Sequence, residues 1–165
     1  MNKLSIFAMS VAVTASLLAT PLASQEIVVS PTSPSEFVDN VQKDLDRHLR
    51  QIRVSPQSAP SGAASVRFTA GVDGRPENVT IYRKSGSSQV DRASRRAVSR
   101  LSSLSPLPRG SANGQVIQAN IIFANNEKQA ERLSRQLARE ESRRLASSPA
   151  ERSVLALTVG GPPVS

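Results

Sequence analysis

Two runs of alternating residues either side of Asp73-Gly74 constrain this chain more than any other feature. In Val66-Arg67-Phe68-Thr69-Ala70 every second residue is apolar, and Val79-Thr80-Ile81-Tyr82 alternates again after the turn. A period of two is that of a strand with one face buried. Asp-Gly supplies the positive backbone angles of a two-residue hairpin turn, so the spacing predicts a β-hairpin. Pro76 lacks an amide donor and places the start of the return strand at an edge or just outside the sheet.

A helix is expected next. Ser88-Gln89-Val90-Asp91 reads as a capping box. Val90, Ala93, Ala97, Leu101 and Leu104 recur every three or four residues as one apolar stripe, and Arg92, Arg95, Arg96 and Arg100 fall outside it. Pro106 and Pro108 are expected to end this helix in an extended hook. Beyond Gly114, Ile117, Ala119, Ile121 and Phe123 alternate with Val116, Gln118, Asn120 and Ile122 in a third strand. The order strand, strand, helix, strand defines a small α+β domain with an antiparallel third strand.

Residues 65–124 resemble the C-terminal domain of the TonB/TolA family of periplasmic energy transducers. The residues that carry the resemblance are Val66-Arg67-Phe68-Thr69, Asp73-Gly74-Arg75, Lys84-Ser85-Gly86-Ser87-Ser88, Val90-Asp91-Arg92-Ala93 and Pro106-Leu107-Pro108, in family order and spacing. It implies a non-enzymatic adaptor linked to outer-membrane transport, its partner the TonB box of an outer-membrane receptor.

The flanks divide the rest of the 165 residues. Residues 1–24 read as a secretory signal: Met1-Asn2-Lys3 is positive, Leu4 to Leu18 is apolar, and Thr20 to Ser24 offers a cleavage region. This predicts a periplasmic protein. The alternative is an uncleaved inner-membrane anchor, since Leu4 to Ala23 is long enough to span a bilayer; only then is membrane contact expected. The family's transducers carry a Ser and a His in that helix, whereas no His precedes His48 here. The extended segment 25–34 contains Gln25-Glu26-Ile27-Val28-Val29-Ser30, which itself resembles a TonB box. Through Glu26–Ser30 the chain could add a strand to its own domain or to a second copy.

Over residues 35–54, Phe37, Val38, Val41, Leu45, Leu49 and Ile52 keep a helical period, with Asp39, Asp44 and Asp46 on the outer face. Residues 55–64 form a Ser/Pro/Ala/Gly linker. A charged helix is expected over 125–148, with Asn126 and Gln129 spaced as a cap and Ala130, Leu133, Leu137 and Leu145 as a thin stripe. Its supporting pairs are Glu131 with Arg135 and Glu140 with Arg144. Too little of it is apolar to hold it alone, which makes it solvent-exposed or partner-facing. In the tail, 149–165, Pro149 stops the helix and Val154 to Val159 can form a strand.

Composition removes several function classes. The chain has no cysteine, hence no disulfide framework and no thiolate site. His48 is the only histidine and has no nucleophile in its local pattern, no serine stands in a nucleophile elbow, and Asp44 and Asp46 point to different helix faces. No catalytic residue, metal or cofactor is therefore expected. Net charge is +8, and residues 65–109 hold nine Arg or Lys against Asp73, Glu77 and Asp91. Such a surface suits an acidic protein, an anionic envelope surface or nucleic acid. With aromatics at 3% and only Tyr82 placed for stacking, nucleic acid is disfavoured.

Two working surfaces are thus expected. One is an exposed edge strand, Gln115 to Ala124 with Val116, Ile117, Gln118, Ala119, Asn120, Ile121, Ile122 and Phe123 at its centre, pairing with an extended peptide. The other is the basic face of Arg92, Arg95, Arg96 and Arg100. If the edge is already covered by Gln25–Ser30 or by the C-terminal run, the basic face remains.

Overall fold

A nine-residue strand, β1 (Gly62–Ala70), is the spine of the fold in the computed structural model, which describes residues 33–52 and 60–160. The segments read as a signal and as a TonB-box-like peptide lie outside the described residues, as does the first half of the expected linker, 55–59, while residues 62–64 of its second half belong to β1. β1 begins at Gly62, four residues earlier than the alternation at Val66 indicates, and Ala63 and Ala64 are also buried. Gly62 has φ +146°, and a Cβ there would stand 2.6 Å from the Ser85 carbonyl oxygen.

The hairpin joins β1 to β2 (Pro76–Arg83), but through five residues, not two. Gly71 closes the loop by donating to the Arg75 carbonyl at 2.8 Å, Asp73 Oδ1 accepts from the Arg75 amide at 3.0 Å, and Gly74 takes φ +74°. Asp73-Gly74 is thus the bend of a wider loop, its carboxylate fixing the backbone two residues on. Pro76 is the first residue of β2, an edge strand that needs no donor there. Two register shifts bulge β2, and Asn78 lies in the left-handed region at φ +53°. Bulges of this kind protect an open edge from uncontrolled pairing.

The order β2-β1-β3-β4 completes the sheet, with β3 at Val116–Phe123 and β4 at Leu155–Gly160. β3 runs antiparallel to β1, and β4 runs parallel to β3. On one face lie α1 (Pro34–Gln51) and α2 (Ser88–Val98). Phe37, Val41, Leu45, Leu49, Val90, Ala97, Val66, Phe68, Ile117, Ile121 and Phe123 make the main core there, closed by Leu157 and Val159 of β4. On the other face lies α3 (Glu127–Ser147), followed by the single turn α4 (Pro149–Arg152). The α+β class, the hairpin–helix–strand module and the flanking helices are as expected.

The local signals resolve with small shifts. Ser33 caps α1, in a full capping box with Glu36. Ser87 caps α2 by accepting from the Val90 amide, while Asp91 holds the Ser85 amide at 2.8 Å. α2 ends at Val98, eight residues before Pro106. Ser99 Oγ bonds the Arg95 carbonyl at 2.8 Å, and tight turns carry Leu101 and Leu104 into the core from a loop. The apolar stripe therefore identified core residues correctly but overran the helix. Pro149 does not merely stop α3: it occupies the first turn of α4, which Ser148 caps.

Candidate functional site

The candidate site is the outer edge of β3 together with the segment that covers it. Val116–Phe123 is not an exposed edge. β1 pairs with it on one side from Gly62↔Phe123 to Thr69↔Val116, and β4 pairs on the other from Ile117↔Leu155 to Ile122↔Gly160. Of its eight residues only Val116 is exposed. Ile117, Ala119, Ile121 and Phe123 face the main core, and the alternate residues Gln118 and Asn120 are also buried. The expectation of an open edge is corrected: the C-terminal run covers it as β4. A residue pattern shows which face of a strand is apolar, but not whether a distant segment fills its hydrogen-bonding edge.

The arm that delivers β4 is held to the second sheet face mainly by polar contacts. Only Leu137 and Arg144 of α3 are buried. The apolar patch beneath it consists of Ala63, Ile122 and Leu137, with Ala124 and Leu133 at its margin. A fully buried leucine is worth about 1.5–3 kcal/mol, so this patch alone cannot order the 21 residues of α3. The remainder is a continuous network. Arg67, from β1, grips Glu151 of α4 with both terminal nitrogens, at 2.9 and 2.5 Å, and donates its Nε to Gln118 at 2.9 Å. Gln118 Nε2 donates to Asn120 Oδ1 at 3.1 Å and to Glu141 Oε1 at 2.5 Å, and Asn120 also reaches Glu141 at 3.3 Å. Arg144 closes the circuit, donating to Glu141 at 2.8 Å and to the Glu151 main-chain carbonyl.

Further contacts sit at the margins. Arg83 faces Glu140 at 2.9 Å, and the Tyr82 ring lies 3.4 Å from the Arg67 guanidinium carbon, a cation–π contact. Gln115 donates to the Ser153 carbonyl at 2.8 Å, and Gln42 of α1 donates to the Thr158 carbonyl at 2.9 Å. The Arg67 hydrogen bond foremost, with its charge and that of Arg144 adding, holds the Glu151 carboxyl below its ordinary value against the opposing effect of burial.

These contacts revise the reading of α3. Glu140 pairs with Arg83 and not with Arg144, whose partner is Glu141 one residue on. Glu131–Arg135 forms as expected at 3.3 Å. The sequence places Gln118 and Asn120 on a peptide-pairing edge, Arg67 in the hairpin and Arg144 beside Glu140, and it assigns nothing to Glu141 or Glu151. Gln118 and Asn120 occupied the alternate positions of a half-buried strand, where polar residues normally meet water. The one available signal was Glu141-x-x-Arg144 on a helix too polar to stand alone.

The basic face fits its sequence reading in position. Arg92, Arg95, Arg96 and Arg100 are all exposed along the outer side of α2 and its end, with no ion pair to any described residue. Asp44, by contrast, is not on an outer face. It is 3% exposed and accepts from the Ser102 amide at 3.0 Å, with Arg47 at 3.2 Å and His48 at 3.4 Å. His48 thus belongs to a structural tie between α1 and the loop after α2. Among the described residues no group of His, Cys, Asp or Glu could hold a metal ion, and no helix is long and apolar enough to cross a membrane.

The sheet carries α1 and α2 on one face and α3 on the other, with β3 paired on both sides. Residues 54–124 match the family described as Gram-negative bacterial TonB protein C-terminal. No curated protein and no solved structure matches the chain. The match ends at Ala124, so α3, α4 and β4 all follow the matched domain. Domains of this family are protein-interaction and transducer modules of the cell envelope.

Proposed function

We infer that this protein is a non-enzymatic, periplasmic TonB-like adaptor that binds an extended peptide of an envelope partner by strand addition at β3. The TonB box of an outer-membrane receptor is the partner that the family suggests. The observation that carries the reading is the parallel pairing of Leu155–Gly160 on Ile117–Ile122. A strand from outside the matched domain already lies on that edge. An edge that takes one strand through main-chain bonds offers the same donors and acceptors to another, with alternate side chains setting register.

The test uses the full mature chain and a synthetic peptide spanning Gln25–Ser30, the segment of TonB-box character. Amide resonances of Ile117–Ile122 are followed during titration. The expected result is their perturbation together with those of β4, while β2 amides stay fixed. Unmoved β3 amides at millimolar peptide, in a folded chain, would rule the reading out.

A second reading rests on the four arginines on and just after α2, Arg92, Arg95, Arg96 and Arg100, which have no ion pair among the described residues and suit an anionic envelope surface. Its measure is retention on vesicles containing anionic lipid. Binding that survives neutral substitution of all four would eliminate it.

A further inference from the structure

We propose that residues 125–160 form a releasable arm, an internal competitor that keeps the β3 edge closed until a charged latch on the opposite sheet face opens. The proposal rests on the peptide-binding reading above and concerns its regulation. Three observations carry it. The arm follows the family-matched domain, so the domain's last strand is covered by an addition to it. The arm reaches back across the second face and sets β4 down in register over six residue pairs. Its hold on that face is concentrated in charges and amides, from Arg67 through Glu151, Arg144 and Glu141 to Gln118 and Asn120.

Apolar burial is short-ranged and insensitive to moderate salt. Ion pairs that keep some exposure are weakened by salt and by competing charges, though less than fully exposed ones. Arg67 and Glu151 are 18% and 24% exposed in their side chains, so water and ions reach the central pair. α3 and α4, anchored this way, belong to the low-stability end of a fold, and β4, which adds only Leu157 and Val159 to the main core, leaves with them while the rest stays folded. Arg67 and Glu151 link the two ends of the device: one stands on β1, the other four residues before β4. Breaking their bond frees the chain at the point where it enters the edge strand. An acidic group that engages Arg67 in place of Glu151 has the same effect.

The test compares three full-length proteins. The first is the unchanged chain and the second is Glu151→Gln. The third is the double variant Ile122→Cys/Gly160→Cys, which bridges two register partners in a chain that has no other thiol. Gly160 has open space where a Cβ would stand. The probe is a labelled peptide of the arm's own strand, Ser153–Gly160, with a scrambled peptide as control.

Hydrogen exchange of Glu151→Gln is expected to show faster exchange in residues 127–160 and unchanged protection at β1 and β2. Peptide affinity should rise at least tenfold over the unchanged chain, while the oxidised double variant should not bind and should recover on reduction. The latch is overturned if the arm stays as protected in Glu151→Gln as in the unchanged chain. It is equally overturned if the oxidised, locked protein binds as well as the reduced one. If the arm opens and the edge still takes no peptide, the strand-addition reading fails while the releasable arm stands. Should Glu151→Gln not fold, exchange of the unchanged chain in rising salt decides: selective loss of arm protection supports the latch, and uniform protection refutes it.

Discussion

Glu151 and Asp44 are both acids placed by tertiary contacts, and they predict different behaviour. Glu151 faces Arg67 and Arg144, with Glu141 on the far side of Arg144. Its carboxyl is held below its ordinary value of 4.5. A depressed folded value contributes stability that is present above the unfolded value and is lost as pH falls through the folded one. Arm protection, followed by hydrogen exchange, should therefore hold from neutrality down to about pH 4.5 and then fall, and Glu151→Gln should remove that dependence. Asp44 has the more local task of accepting the Ser102 amide where the loop carries Leu101 and Leu104 into the core. Asp44→Ala leaves a buried donor unpaired, at a cost of about 1–3 kcal/mol in urea unfolding. Unaltered stability would show that Ser102 finds another acceptor.

Among the elements, α2 and β4 separate charge from packing. Replacing Arg92, Arg95, Arg96 and Arg100 by glutamine touches no ion pair, so each change should alter stability by less than about 0.5 kcal/mol. The same changes should abolish retention on anionic vesicles if α2 is a working face. β4 behaves in the opposite way, since Leu157 is buried in the main core at 3% exposure. Leu157→Ala should cost about 2–5 kcal/mol if the arm remains closed throughout unfolding. A smaller loss, with arm amides already exchanging freely, would mean that the strand leaves its edge before the domain unfolds. Proline at Asn120 interrupts a strand paired on both sides, with Ser65 and Thr158, and should damage the fold itself and not only binding.

At the scale of the whole molecule, the sheet divides a dry side from a wet one. Twenty buried side chains, running from Phe37 to Val159, make the main core under α1 and α2, whereas three serve α3. Raising salt from about 50 to 500 mM shortens the screening length from about 14 to about 4 Å. Exchange in residues 127–160 should accelerate across that range while β1 and β2 amides do not change. Equal acceleration everywhere would place the charges of the second face in support of the entire fold.

Much of this was legible in the residues. Alternation at Val66–Ala70 and Ile117–Phe123 marked strands and their core-facing sides, because a period of two leaves little choice of face. Helical spacing marked Val90, Ala93, Ala97, Leu101 and Leu104 as core, since burial is what such spacing records. The family resemblance rested on these same elements. Segments that meet only in three dimensions were not legible. Leu155–Gly160 pairs with β3 through main-chain groups that every residue possesses, so no side-chain pattern in β3 could announce an occupant. Gln118 and Asn120 looked like a wet face until α3 covered them, and Arg67 met Glu151 across 84 positions of sequence. The sequence by itself determined the elements, the side of each that is apolar and the family domain. Only the tertiary structure decided which edge is closed and what closes it, because hydrogen bonds along a strand edge and long-range ion pairs depend on position in space and not on local spacing.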